Sequence, residues 1–554
     1  MSDQIKAPLD GLDGYWKAAA EDELAIGKCK SCAKPYFYPR PLCPLCGSAS
    51  TELVTASGRG RVHSFSIVRN AKRPTATAIV ELEEGPRVTT ALVDCDVFEL
   101  RIDDAVEVSF QRVEEAPPAL AFTTKAAQDA RIYSKAALKM SSVVPGIAPA
   151  AVEFERAAVI GSGTMGTGIS IALLQAGIPV VLIDQNSAAL EKAKAQIEKV
   201  LESSISRGRM TREQVDKSLA SLKCEEGISA VGSADLIVEA VYEQMALKRK
   251  IFAELDRYAA QGATLATNTS TLNIDEIAGA TQRPNSVIGL HFFSPAHVMK
   301  LLEVVRGPRT DTQTISRGMA LGKQLGKVAV LVGICDGFVG NRLMIARERQ
   351  AGHLLLEGAL PDQIDRVLRE FGLPMGTFEL QDMAGGIELN YRFRQASGEK
   401  DFIIDRLFEL GRLGQKTGKG YYTYDGTSRK PRLDREAVEV FEAASALHQI
   451  VRRKFSDEEL RDRLILPMIN QAAKLIEEGV VIRPSDIDVV WQNGYGWPSW
   501  KGGPVYWADR VGSDQIYQRL LALEAAHGEA FKPAELLKRL AAKNGALLEA
   551  TREC

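Results

Sequence analysis

Gly161-Ser162-Gly163-Thr164-Met165-Gly166 lies between a short apolar run, Ala157-Ala158-Val159-Ile160, and a helix-patterned segment from Thr164 to Gln175. Few folds can use three glycines at this spacing in a strand-to-helix position. Gly161 permits the tight turn, Gly163 lets a pyrophosphate approach the backbone, and Gly166 lets helix and strand pack closely. Thr164 and Met165 open the helix, whose N-terminus stabilises phosphate charge. A second apolar run, Pro179-Val180-Val181-Leu182-Ile183, ends in Asp184, an acid about 20 residues beyond the loop, as dinucleotide binding requires. Asp184 would accept hydrogen bonds from the adenosine ribose and repel a 2'-phosphate, so NAD is expected over NADP. Leu236 to Ala240, Thr264 to Thr267 and Val287 to Leu290 continue the alternation, with a long helix from about Gln244 to Ala260. The pattern predicts a Rossmann-type, doubly wound parallel sheet.

Further on, Gly289-Leu290-His291-Phe292-Phe293-Ser294-Pro295 is followed by Lys300-Leu301-Leu302-Glu303-Val304-Val305. His291 closes one expected strand and Glu303 sits on the next. A general base must reach the proton that it removes and titrate near ambient pH, which suits imidazole. A carboxylate on the second ring nitrogen would fix the tautomer and stabilise the imidazolium. Beside a nicotinamide site, this pair predicts oxidation of a secondary alcohol. His297 and His353 lack such a setting and are assigned to a loop and a helix surface.

The N-terminal region follows a different logic. Cys29 and Cys32, then Cys43 and Cys46, form two Cys-x-x-Cys turns. Together they can hold one ion in a closed four-thiolate tetrahedron, for which zinc is favoured over iron and a structural role over a catalytic one. Gly47 suits the tight backbone after the second pair. The remaining cysteines, Cys95, Cys224, Cys335 and Cys554, are assigned to packing or to the terminus. Scattered and metal-clustered thiols imply a reducing compartment, and the protein is expected to be cytoplasmic. Period-two runs follow at Arg61 to Val68, Ala78 to Leu82, Arg87 to Val93 and Ala105 to Phe110, which predict a small OB-type barrel of four or five strands. Between Lys28 and Arg73 there are nine Lys/Arg and one acid, whereas Pro74 to Phe110 holds nine acids and two Arg. The basic half could meet coenzyme A phosphates, an acidic partner surface or nucleic acid. The net charge of −2 gives the whole chain no general attraction to nucleic acid or an anionic membrane. No apolar run is long enough to span a bilayer, and Met1 to Asp22 carries no signal-peptide core.

A chain of 554 residues predicts roughly three to four domains. The expected divisions are a helix and zinc ribbon over 1–48, a barrel over 49–118, and a helix with a Pro-containing connector over 119–154. A nucleotide domain over 155–334 and two helical units over 335–428 and 429–554 complete the multidomain α/β arrangement. The helical units form an internal repeat. Arg342, Leu343, Ala351, Leu354, Glu357 and Gly358 recur as Arg463, Leu464, Ala472, Leu475, Glu478 and Gly479. Two such units can bury their apolar faces against each other. Asn341 recurs as Asp462, so the second copy is expected to be scaffold, with a degenerate second site as the alternative.

Two resemblances add to this. Gly27 to Cys46, Ser57-Gly58-Arg59-Gly60 and Val80 to Pro86 resemble the zinc-ribbon/OB-fold family that accompanies thiolases and other acyl-CoA enzymes. That resemblance implies acyl-CoA binding, or docking of a thiolase or enoyl-CoA hydratase partner. The glycine loop, Val238-Glu239-Ala240-Val241-Tyr242-Glu243, Asn268-Thr269-Ser270-Thr271-Leu272, the His291 block and Asp336 to Arg342 together resemble the L-3-hydroxyacyl-CoA dehydrogenase family. The repeat resembles the dehydrogenase half of multifunctional β-oxidation proteins. The resemblance implies an acyl-CoA substrate, His291 and Glu303 as the catalytic pair, Ser270 on the substrate oxygen and Asn341 at the substrate carbonyl. It also implies a cofactor site with Ala240, Glu243, Lys248 and Asn268 beside the loop. The alternative is a non-catalytic scaffold that binds acyl-CoA and recruits a thiolase, against which the intact set of His291, Glu303, Ser270 and Asn341 argues. Ser294 stands where single-function members often carry Asn.

Overall fold

The computed structural model describes residues 12–69, 74–112, 117–150, 153–398, 400–426 and 430–550. Cys554 lies outside them. The chain divides into two compact units, one of Met1–Tyr133, Asp365–Gly376 and Pro498–Gly502, the other of Ser134–Ile364, Thr377–Trp497 and Gly503–Cys554.

In the first unit, the helix Asp13–Ala20 precedes an antiparallel sheet ordered β2-β1-β3, from β1 (Ala25–Cys29), β2 (Pro35–Tyr36) and β3 (Thr51–Thr55). A closed barrel follows, built from β4 (Arg59–Val68), β5 (Thr75–Leu82), β6 (Arg87–Leu92), β7 (Ala105–Gln111) and β8 (Ala119–Thr124) in the order β4-β5-β6-β8-β7. Val80, Leu82, Val88 and Leu92 alternate into its core. The expected barrel boundary at 118 is too early. β8 pairs with both β6 and β7, so the barrel closes only at Thr124. This strand is short and alanine-containing, and Pro117-Pro118 ahead of it masks its start. The alternation of β4 breaks after Val62 because the register shifts between Val62 and Ser64. Charges from the basic and acidic segments meet where Arg59 pairs with Glu83 at 2.9 Å, while Arg87 pairs with Glu81 at 2.8 Å within the acidic segment. The imbalance along the sequence is therefore partly cancelled in space.

The second unit holds a sheet of β9 (Ala157–Ile160), β10 (Val180–Asp184), β11 (Leu222–Glu226), β12 (Leu236–Glu239), β13 (Thr264–Thr267), β14 (Val287–Phe292), β15 (Leu301–Arg306) and β16 (Val328–Gly333). Its order is β11-β10-β9-β12-β13-β14-β15-β16. The sheet is not wholly parallel as expected: β15 runs antiparallel to β14, and β16 is parallel to β15. The link over residues 293–300 is too short for a parallel crossover, which needs about a dozen residues. This reversal sets His291 directly opposite Glu303, and opposed residues share one face of the sheet.

The repeat is visible in the packing of Gly340–Glu357 against Asp457–Glu477. Arg342 of the first copy grips Glu478 of the second at 2.6 Å, and Arg463 of the second grips Glu357 of the first at 2.7 Å. Arg342 also donates to Gln471, and Arg463 to Gln350. Each pairing is the other with the copies exchanged. The Pro-containing connector expected within 119–154 is anchored to the second unit. Ser316 donates to the Ala148 carbonyl at 2.6 Å, Arg483 to that of Val143 at 2.5 Å, and Val144 and Ile147 pack on the sheet core.

Candidate active site

The glycine loop follows β9 and opens the helix Thr164–Gln175, with Gly163 as N-cap and no side chain capping its first turn. A Cβ at Gly166 would lie 1.8 Å from the Gly161 carbonyl oxygen, and one at Gly161 would lie 2.6 Å from that of Ala240. A Cβ at Gly163 would meet nothing within 4 Å. Close packing therefore demands two of the glycines, while the middle one faces open space. At the end of β10, Asp184 Oδ2 accepts from the Ser162 amide at 2.8 Å and its hydroxyl at 2.7 Å. Burial pushes this carboxyl up, but hydrogen bonds from Ser162, Asn186 and Gln185 together outweigh it and hold it below its ordinary value. The uncapped amides, the open space over Gly163 and the ionised acid fit a dinucleotide with free ribose hydroxyls.

At the end of β14, His291 Nδ1 lies 2.7 Å from Glu303 Oε2 and His291 Nε2 lies 3.2 Å from Ser270 Oγ. Glu303 is fully buried, and its other oxygen accepts from the Gly340 amide at 3.0 Å. A carboxylate can only accept, so Nδ1 carries the proton of the neutral ring and Nε2 is left with a lone pair. Phe293 and Phe338 flank the imidazole at 4.5 and 5.4 Å between ring centres. Asn341 stands in the first turn of Gly340–Glu357, and its Oδ1 accepts from Tyr495 at 2.6 Å. Ser294 is exposed in the turn after β14.

Other expected residues have different surroundings from those anticipated. Lys248 does not face a cleft. It is fully buried, with Nζ 2.7 Å from the buried Glu239 carboxylate and 3.4 Å from that of Glu243. Glu243 Oε1 in turn accepts from the Thr269 hydroxyl at 2.5 Å and the Ser270 amide at 2.7 Å. Asn268 accepts from the Phe292 amide, tying β13 to the His291 strand. The site segments thus hang on a buried ionic frame, in which Glu239 was not anticipated. Its signal was a charge inside the otherwise apolar run Leu236 to Ala240, since a buried charge requires a partner. Lys248→Ala would strand the Glu239 carboxylate, and unfolding should become easier by roughly 3 kcal/mol. Thermal or urea unfolding measures this, and an unchanged midpoint would contradict the frame. His297, expected on a loop surface, is half-buried, and its Nδ1 has no partner.

The four cysteine sulfurs all lie within 4.8 Å of one another, with Cys29 and Cys46 at 3.6 Å and Cys32 and Cys43 at 3.8 Å. A tetrahedron with Zn–S bonds of about 2.3 Å has edges of about 3.8 Å. The cluster therefore fits a zinc ion with no open position. Cys43→Ser should abolish retention of one zinc per chain, read by elemental analysis. Full zinc content in that variant would refute the four-thiolate site.

Family models match this architecture. The 3-hydroxyacyl-CoA dehydrogenase NAD-binding domain covers residues 156–335, and the C-terminal domain of the same enzymes matches twice, over 337–424 and 460–552. The ChsH2 rubredoxin-like zinc ribbon matches 16–52, and the ChsH2 C-terminal OB-fold domain 53–111. The peroxisomal bifunctional enzyme of Danio rerio is 39% identical over 424 residues, covering 72% of this chain and 58% of that protein. The human enzyme is 39% identical, covering 70% of this chain and 56% of its own length. The chain thus spans less than three-fifths of these relatives. Among solved structures, the dehydrogenase part of multifunctional enzyme 1 from C. elegans is 30% identical, covers 74% of this chain and 96% of that one, and has a TM-score of 0.55. The 3-hydroxybutyryl-CoA dehydrogenase of Escherichia coli K12 is 27% identical, with coverage of 71% and 99% and a TM-score of 0.60. Among the described residues, no helix is long and apolar enough to cross a membrane. With the NAD-binding fold, the doubled helical domain and the opposed His291 and Glu303 all in place, the chain belongs to the 3-hydroxyacyl-CoA dehydrogenase family.

Proposed function

We propose that the protein oxidises (3S)-3-hydroxyacyl-CoA esters to 3-oxoacyl-CoA with NAD, and catalyses the reverse reduction. The observation that carries this reading is the Ser270–His291–Glu303 chain, with hydrogen-bonding separations of 3.2 and 2.7 Å. Bound NAD, held by the loop from Gly161 to Gly166 and by Asp184, supplies the hydride acceptor. His291 Nε2 takes the proton of the 3-hydroxyl, and Ser270 holds that oxygen in line. Glu303 receives the Nδ1 proton in a hydrogen bond and stabilises the imidazolium that results. In reduction, the imidazolium returns its proton to the developing alkoxide. Asn341 addresses the thioester carbonyl, and the Phe293 and Phe338 rings that flank His291 limit water at the imidazole.

The N-terminal zinc ribbon and barrel serve acyl-CoA binding or docking of a thiolase or hydratase. Their ChsH2-type domain pair supports the docking reading, as do Leu42 and Leu45, 56% and 57% exposed on the ribbon. The metal-clustered and scattered cysteines among the described residues suit a reducing compartment such as the cytoplasm.

The test is NADH formation from the two enantiomers of 3-hydroxybutyryl-CoA. Turnover of the 3S ester with NAD, and little with NADP or the 3R ester, is expected. No turnover of 3-hydroxyacyl-CoA esters of any chain length would overturn the reading.

A further inference from the structure

We infer that Tyr495, supplied by the second helical copy, orients the Asn341 amide of the first copy toward the substrate. The inference rests on the proposed dehydrogenase reading and assigns a positioning residue to that site.

The hydrogen bond between them has one direction. A phenol donates and Oδ1 accepts, at 2.6 Å across 154 positions of the chain. With its oxygen engaged, Asn341 has its two Nδ2 protons left as donors for a carbonyl or developing alkoxide. Without the phenol, either end of the amide could face the substrate, and the wrong end would set an oxygen against an oxygen. The phenol stays protonated: desolvation foremost, then the Glu303 and Glu348 carboxylates, push it well above its ordinary value.

The surroundings hold the ring in place. Tyr495 stacks on the fully buried Trp491 at 4.5 Å and meets Phe293 edge-on at 5.6 Å. Phe293 in turn packs on His291. A Cβ at Gly340 would come within 2.5 Å of the phenol oxygen, so the glycine opens the slot that the ring fills. Glu370-Phe371-Gly372-Leu373-Pro374 aligns with Gly494-Tyr495-Gly496-Trp497-Pro498, so the first copy carries Phe371, with no hydroxyl, at the matching position. Conversely, Asp462, which replaces the amide in the second copy, is held by Arg519 at 2.9 Å. One copy has kept the amide and the other the phenol, so the second copy is more than scaffold.

A double-mutant cycle on the full chain tests this with Tyr495→Phe, Asn341→Ala and the combination, using acetoacetyl-CoA and NADH. Tyr495→Phe should lower kcat about 10-fold, leaving KM for NADH and the thermal midpoint unchanged. The same change in an Asn341→Ala background should alter kcat less than about 2-fold. An unaltered kcat in Tyr495→Phe, or an equal loss in both backgrounds, overturns the inference while leaving the dehydrogenase reading intact. Should the wild type not turn over, that reading falls, and calorimetric affinity for acetoacetyl-CoA decides the rest. Weaker binding in Tyr495→Phe only where Asn341 is present supports the orienting role; no binding, or loss in both backgrounds, overturns it.

Discussion

His291→Ala lowers kcat for NADH-dependent reduction of acetoacetyl-CoA by about 10³-fold, within the range that a general acid–base residue supplies. KM for NADH should change little, because the cofactor loop follows β9 and Asp184 ends β10, whereas the imidazole is on β14. The fold should survive: the ring is nearly buried, but its partners are a carboxylate still tied to the Gly340 amide and a serine at the site. The measurement is a steady-state profile in both substrates beside a thermal melt. A kcat within about 10-fold of wild type would show that proton transfer does not run through this ring.

Gly166→Ala removes cofactor binding. Its new methyl would sit 1.8 Å from the Gly161 carbonyl oxygen, and that contact is backbone, with no flexible side chain to yield. The loop must shift away from the helix N-terminus, and the phosphate site shifts with it. A ligand that binds only the folded state stabilises it by about 2.7 kcal/mol at 100 times its Kd. Wild type should therefore melt several degrees higher with saturating NADH, whereas the variant should show no shift. An equal shift in both would mean that the loop does not cradle phosphate.

Much of this was legible in the sequence because local chemistry enforced it. The glycine loop needs no tertiary information: the turn, the close packing and the open middle position are each a backbone requirement. The cysteine pairs are similarly self-declaring, and the repeat predicts two units packed on each other, though not the reciprocal arginine grips. What was missed depends on distant partners. β11 escapes the pattern because only Leu222 and Cys224 of Leu222–Glu226 turn toward the core, interleaved with charged residues on a partly exposed edge strand. The reversal at β15 could have been inferred from the short link, but the surrounding alternation favoured a parallel sheet. Lys248 has a cofactor-side place only through the resemblance, and the sequence shows its charge but not its burial. Tyr495 had no local signal: its partner is 154 positions away, and its phenol differs from Phe371 by one oxygen.

The central claim is that Glu303 acts through the His291 imidazole, and the kcat of acetoacetyl-CoA reduction for wild type, His291→Ala, Glu303→Gln and the double variant tests it directly. Residues that work as one unit are non-additive. The double variant should be no slower than His291→Ala alone. Losses that multiply would mean that the carboxylate and the imidazole act independently, and the account would be wrong.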